Sequence, residues 1–303
     1  MEMADTTDSS KLSIFATAKQ DLMTLTKARL SALVVVTTVF GYLVGAKMLS
    51  TFSWSILLHT TFGTVLAAFG AAVFNQLMEI DVDAKMNRTA DRPLPANRIP
   101  RSAAFGIGVI LCAFGMVHLS IKANPTASFF AGATLFTYLF IYTPLKQKSS
   151  TNTLVGAMSG AFPPLIGWAA AGGESFSWGA LFLFSLLFLW QMPHFLAINW
   201  MYREQYKQGG FVMWANEDES GGLTSKLALF FSVLVALLPL ITVFANLTPW
   251  WFAIPGILLG LGMTFLALRF VKTRERSDAR KLFLYTLLYL PVFLGIALIA
   301  WTR

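Results

Sequence analysis

A single cysteine, Cys112, occurs in 303 residues, which excludes an intrachain disulfide and any Cys-x-x-Cys redox or haem-attachment motif. Charge is scarce too. Charged residues make up 13% of the chain against 56% hydrophobic ones, and the mean hydropathy is +0.63. That balance excludes an ordinary soluble globular domain. No low-complexity or Pro/Gly/Ser-rich linker divides the sequence, so no detachable soluble part is expected. The opening residues, MEMADTTDSS, lack both the basic start of a signal peptide and the Arg-rich amphipathic character of a transit peptide. The first apolar run is left to direct insertion, and a bacterial cytoplasmic membrane is the expected home.

What the chain has instead is long uncharged runs. A bilayer core takes about 20 apolar residues per helix, and the runs predict nine crossings: 30–46, 53–77, 102–121, 125–143, 152–171, 176–200, 227–246, 249–268 and 282–301. The expected fold class is all-α, a polytopic membrane bundle of about nine transmembrane helices around a central cavity. Residues 1–23 read as a polar cytoplasmic segment and 24–303 as one transmembrane domain. The net charge of +8 would suit nucleic acid if it were clustered, but it is not. With the N-terminus in the cytoplasm, only Lys47, Lys122 and Arg303 of the 23 basic residues fall on the far side. The positive-inside rule accounts for the excess, and no nucleic-acid partner is expected.

Two of the expected cytoplasmic loops, 78–101 and 201–226, stand out because they carry eight of the 15 acidic residues. They follow the second and sixth runs, which suggests a duplicated helix-loop unit. Where the second run passes into the first loop, Asn75, Glu79 and Asp83 recur at intervals of four. On a helix that spacing puts them on one stripe, about 40° apart in succession. Acidic groups where a span meets water are costly to desolvate unless they face a cavity, a metal or one another. Mg²⁺ prefers oxygen donors and commonly joins one or two carboxylates to substrate phosphates. Asn75, Glu79 and Asp83 are therefore candidate Mg²⁺ ligands, whereas Asp81 points to another side. Lys85, Arg88, Arg92 and Arg98 follow, cations suited to a diphosphate leaving group, and Pro93 and Pro95 end the helix beside Arg92. The bland alternative is a solvated loop of mixed charge, which leaves the four-residue register of amide and acids without a cause.

The second loop offers Arg203, Glu204, Tyr206 and Lys207, with a turn allowed at Gly209 and Gly210. Alone it would read as an interfacial loop. Of the three histidines, His59 and His118 read as satisfied structural imidazoles. His194 follows Trp190, Gln191 and Pro193 inside a span, where proline loosens a helix. It is a candidate substrate contact, with a structural hydrogen bond as the alternative.

The series N-x-x-x-[DE]-x-x-x-D, followed by a basic, proline-containing segment, resembles the first signature of the intramembrane aromatic prenyltransferases. Three longer stretches are similar to the haem-farnesylating branch of that family: IDVDAKMNRTADRPLP at 80–95, YTPLKQKSSTNTLVGAMSGAFPPLIGW at 142–168 and WQMPHFLAINWMYREQYKQGGF at 190–211. The likeness covers most of the chain from Thr24 onward. It implies transfer of the farnesyl group of farnesyl diphosphate to a vinyl group of haem B, giving haem O for a terminal oxidase, directly or through a haem A synthase. It implies that Asn75, Glu79 and Asp83 hold Mg²⁺. Lys85, Arg88, Arg92, Lys146, Arg203 and Lys207 would contact diphosphate, Glu204 would assist the chemistry from the second loop, and His194 and Tyr206 would touch the acceptor.

Two departures from the family pattern are visible. The second loop reads Arg203-Glu204-Gln205-Tyr206 where the family has R-E-D-Y, which leaves Glu204 or the Glu217-Asp218-Glu219 cluster to supply the missing charge. Glu79 stands where Asp is common. Three other functions remain in view: a prenyltransferase for another aromatic acceptor such as a quinone precursor, a haem-binding assembly factor without chemistry, and a cation transporter. Against the transporter, the ionisable residues gather at one face instead of marking a midplane path.

Overall fold

The computed structural model describes residues 17–302; most of the expected polar N-terminal segment, and Arg303, lie outside them. Ten principal helices follow a short helical segment at 17–25. They are α1 (Ala28–Leu49), α2 (Trp54–Met78), α3 (Arg101–Lys122), α4 (Pro125–Leu145), α5 (Asn152–Ala161), α6 (Pro163–Ala170), α7 (Trp178–Met201), α8 (Gly222–Phe244), α9 (Trp250–Thr273) and α10 (Arg276–Ala300). No strand occurs among the described residues. Eight of the helices are long and apolar enough to cross a membrane.

The expected crossing at 152–171 is the exception: it is made by α5 and α6 in succession. Pro163 and Pro164 lack amide hydrogens and crowd the preceding turn, so the run breaks at Phe162. A broken helix inside a bilayer needs other partners for its backbone. Thr38 on α1 supplies one, its hydroxyl donating to the Pro163 carbonyl at 3.0 Å. Helices α1 and α6 cross there almost backbone to backbone, since a Cβ on Gly167 would stand 1.8 Å from the Thr38 carbonyl oxygen. Helix α7, by contrast, runs unbroken through Pro193.

Small residues also set the α2–α3 contact, as expected of helices packed in lipid. Cys112 belongs to that contact: a Cβ on Gly70 would fall 2.4 Å from its Sγ. At the end of the bundle away from the two long loops, Trp54, Trp178 and Trp250 are exposed at helix starts, an interfacial aromatic belt. Lys47 joins α1 to α10 at that end, donating to the carbonyls of Leu298 and Ile299 at 3.0 Å each. These are among the carbonyls that a helix C-terminus leaves without intrahelical partners.

Residues 17–25 form a helix laid against the first long loop, and they are fastened to it. Arg98 donates to both carboxylate oxygens of Asp21 at 2.9–3.1 Å and to Asp91 at 2.9 Å. The side-chain amide of Gln76 donates to the carbonyls of Thr24 and Leu25 at 2.7 and 2.9 Å. A polar helix can dock here because the loop below offers a fixed guanidinium and the end of α2 a buried amide.

Candidate active site at the loop end of the bundle

A cavity of about 1000 Å³ runs inward from the two long loops, between α1, α2, α4, α5, α7 and α10. Its mouth is charged. Helix α2 ends at Met78, and Glu79 caps it outside helical geometry at φ −108°, before a separate turn over Ile80–Asp83. The stripe expected on one continuous helix is therefore broken at Glu79, the residue whose carboxylate meets Lys146. Both acids still arrive at the cavity wall, and both are buried.

Each acid has its own cation. Lys146, delivered by the end of α4, donates to Glu79 Oε1 at 2.8 Å. Arg92 donates to Asp83 Oδ2 at 2.5 Å, and Thr89 accepts the job of fixing the turn by donating to the Asp83 carbonyl at 2.8 Å. Burial works against the charge of Glu79, yet the ammonium groups of Lys146 and Lys27 hold its carboxyl below the ordinary range. Burial also opposes the charge on Lys146, and Tyr142 and Glu79 outweigh it, so that ammonium is held well above its usual range.

In the sequence Lys27 is one of the 20 basic residues that the topology places on the cytoplasmic side. The structure brings it into the site. It sits at the joint between the 17–25 helix and α1 in a left-handed conformation, φ 46°, uncommon for a residue with a side chain and often associated with function. Its ammonium donates to the side-chain oxygen of Asn75, and its side chain lines the cavity. Burial lowers its pKa to about 7; Glu79 opposes the shift, while Lys146 and Arg92 add to it. Asn75 also donates to Thr143 Oγ1 at 3.0 Å. It is wholly buried and does not line the cavity; its side-chain oxygen is held by the neighbouring ammonium.

The second loop closes over the first through an apolar cluster of Val82, Met86, Phe211 and Met213, with Tyr206 packed against it. The Val212 amide donates to the Lys146 carbonyl at 2.7 Å, so the same loop steadies the lysine. Tyr206 lines the cavity, and burial raises its phenol pKa. Arg88 reaches the rim. Lys85, Glu204 and Lys207 are exposed and Arg203 is half-exposed, and none of the four lines the cavity. Glu204 pairs instead with its neighbour Arg203 at 3.3 Å. Gln205 is exposed as well. The Glu217-Asp218-Glu219 cluster does not supply the site either: the Asp218 carboxylate accepts from the Gly222 and Thr224 amides at 3.1 and 2.7 Å and so caps α8.

Below the charged rim the walls turn aromatic and then apolar. The last turns of α4 form a π-helix over Thr137–Tyr142, a widened turn common at functional sites. Tyr138 and Tyr142 stack along it with centroids 5.6 Å apart, and the Lys146 ammonium lies 4.6 Å from the Tyr142 ring centre. Ala67, Ala68, Ala71 and Ala72 of α2 line the deeper wall. On the opposite side, His194 of α7 lines the cavity while the other two histidines, His59 and His118, do not; those two pair with each other at 3.2 Å.

Glu79 and Asp83 fit a hard divalent cation: oxygen donors only, buried, one carboxylate oxygen of each engaged by a cation and the residue facing the cavity. Among the described residues no three acidic, histidine or cysteine side chains gather as a metal site. Two carboxylates plus substrate phosphate is nonetheless the ordinary protein share of a Mg²⁺ shell.

Residues 34–297 match the model of the UbiA prenyltransferase family. A protoheme IX farnesyltransferase of Opitutus terrae is 40% identical over 277 residues, which cover 91% of this chain and 92% of that protein. Among solved structures, one from a study of digeranylgeranylglyceryl phosphate synthase in membranes matches with TM-score 0.78 at 17% identity, over 93% of this chain and 97% of that one. A UbiA homologue from Archaeoglobus fulgidus bound to DMAPP and Mg²⁺ matches with TM-score 0.62 at 13% identity, over 91% and 99%.

Proposed function

This chain belongs to the UbiA prenyltransferase family, and on that premise we propose that it transfers the farnesyl group of farnesyl diphosphate to a vinyl group of haem B, releasing diphosphate and making haem O. The observation that carries this reading is the gradient along one cavity: buried acids and cations at the mouth, aromatic faces below them, and an apolar chamber holding His194. A diphosphate suits the mouth, a prenyl chain and a porphyrin suit the chamber, and the likeness to the Opitutus terrae enzyme supports the choice of acceptor.

In this reading Glu79 and Asp83 hold Mg²⁺, with Asn75 keeping Lys27 in place beside them. Bound Mg²⁺ would offset charge on the departing phosphate oxygens. Arg88, Arg92, Lys146 and Lys27 converge on the same oxygens, aimed at charge that grows as the bond breaks. The allylic C–O bond breaks heterolytically and diphosphate leaves with the electron pair. The faces of Tyr138 and Tyr142 lie below the mouth, where an aromatic ring attracts a cation. The vinyl π-bond attacks the allylic carbon, water adds to the carbon next to the porphyrin, and one proton is released. Apolar walls keep other water from the allylic cation. Tyr206 closes the cavity from the second loop and contacts the acceptor. The active-site loops and the N-terminus face the cytoplasm of a bacterial cell, and the product passes to a haem A synthase or a terminal oxidase.

The test is a pigment assay in a membrane host lacking its own haem O synthase. Haem O by mass spectrometry with the intact chain, and haem B alone with Asp83→Ala, is the expected result. A prenylated quinone precursor in place of haem O would reassign the acceptor.

A further inference from the structure

Two contacts of one threonine bear on the tautomer of His194. Thr286 on α10 donates its one hydroxyl hydrogen to the Phe283 carbonyl at 2.6 Å. The same oxygen lies 2.8 Å from His194 Nδ1. A hydroxyl has one hydrogen to give; with it given to Phe283, Thr286 accepts from the imidazole, the tautomer in which Nδ1 carries the proton and Nε2 the lone pair.

The ring is also held in place. Trp190, one turn earlier on α7, stacks on it at 5.3 Å and 20°, and Phe283 covers it from α10 at 4.9 Å and 32°. Trp190 is fixed by the same α10 residue, since its indole donates to the Thr286 carbonyl at 2.9 Å. With Nδ1 engaged, the edge left for the cavity is that of Nε2. His194 stands seven residues before the end of α7, about 10 Å below the rim at the helical rise, in the part of the cavity assigned above to the acceptor. A neutral imidazole whose second nitrogen is hydrogen-bonded by a fixed partner is the usual form of a metal-ligating histidine.

We propose that His194 Nε2 is the axial ligand to the iron of the bound porphyrin, and that Thr286 is its positioning residue, fixing the tautomer and the ring plane. Coordination at this point pins the macrocycle by its centre, so one vinyl edge is carried toward the prenyl carbon and the rest of the ring has little freedom to swing. The inference rests on the haem reading of the acceptor and adds to it the mode of binding.

The test uses the full chain in lipid nanodiscs, titrated with ferric haem B and followed by the Soret band and electron paramagnetic resonance. Wild-type protein is expected to give an imidazole-ligated spectrum, with ¹⁵N-histidine labelling altering the hyperfine pattern of the iron. His194→Ala should lose that spectrum and regain it with added imidazole. Thr286→Val, which keeps the shape and removes the acceptor, should weaken haem binding ten- to hundredfold, while Thr286→Ser stays near wild type. An unchanged spectrum in His194→Ala, or no effect of ¹⁵N-histidine in wild type, overturns the ligand assignment and leaves the acceptor reading standing. Wild-type protein that consumes farnesyl diphosphate with another acceptor and binds no haem overturns both.

Discussion

The ammonium of Lys146 donates to Glu79 at 2.8 Å across the gap between the ends of α4 and α2, with Glu79 buried and Lys146 largely so. The two residues come from different spans, 67 positions apart, so the bond ties the geometry of the mouth to the packing of the bundle. Removing one partner of a buried pair leaves an uncompensated charge, which costs more than the intact pair is worth.

Lys146→Met should therefore lower turnover about 10²- to 10³-fold, the scale for losing one preorganised charge-stabilising donor, and should also lower the melting temperature. Lys146→Met combined with Glu79→Gln should recover melting temperature relative to the single variant but not turnover. Haem O yield and thermal unfolding in detergent, measured on the same preparations, separate the two effects. Equal melting temperatures for the single and double variants would argue against a structural coupling.

Lys27 is predicted to matter as much as the better-advertised cations of the first loop. Lys27→Met should raise the apparent KM for farnesyl diphosphate and reduce turnover by at least tenfold, since a hydrogen-bonded cation is lost from the mouth. Lys19→Met, an exposed change on the 17–25 helix, serves as the comparison and should leave both values near wild type.

Gln205 differs from the family's aspartate, but its side chain is exposed and does not line the cavity. Gln205→Asp is expected to change haem O production by less than about twofold, the effect of an ordinary surface substitution away from the site. A large gain would mean that the second loop turns this position inward during turnover.

Asp218 gives a pH prediction with a definite sign. Burial alone would raise its pKa, but hydrogen bonds from Thr224, Ser220 and Gly222 hold it below the usual carboxylate value. A depressed folded-state pKa means that the cap contributes fully above the unfolded value, about 3.9, and fades as pH falls through the lower folded value. Amide exchange at Gly222 and Thr224 should thus be insensitive to the Asp218 titration between pH 7 and 5, with protection declining below about 4. Asp218→Ala should cost about 1 kcal/mol at neutral pH and abolish that acid-side decline.

Apolar run length made the bundle legible, because a lipid environment leaves a long uncharged segment few alternatives to a helix. Eight crossings stand as expected, and the ninth is broken at a Pro-Pro pair that was visible but whose consequence depended on Thr38 in another helix. The four-residue spacing singled out Asn75, Glu79 and Asp83, resemblance pointed to Lys146, and His194 stood out by its place after Pro193 inside a span. Lys27 was missed because charge count assigns it to topology as readily as to a site. Only the left-handed joint and the contact with Asn75 distinguish it from its neighbours. Tyr138, Tyr142 and Thr286 were illegible for a related reason: their placement comes from a widened turn and from a partner 92 positions away. The second loop shows the converse: Arg203, Glu204 and Lys207 are prominent in sequence, yet Glu204 and Lys207 are exposed and Arg203 lies over the Trp200 ring, away from the cavity lining.

The left-handed joint at Lys27 makes the N-terminal helix a lever whose fulcrum is a site residue. Its far arm is held down by Asp21 and Arg98, and its near arm by Gln76. Cutting the chain back past Asp21, or fusing a bulky partner there, would therefore shift the setting of the reaction centre, although the change is made in what looks like a dispensable leader.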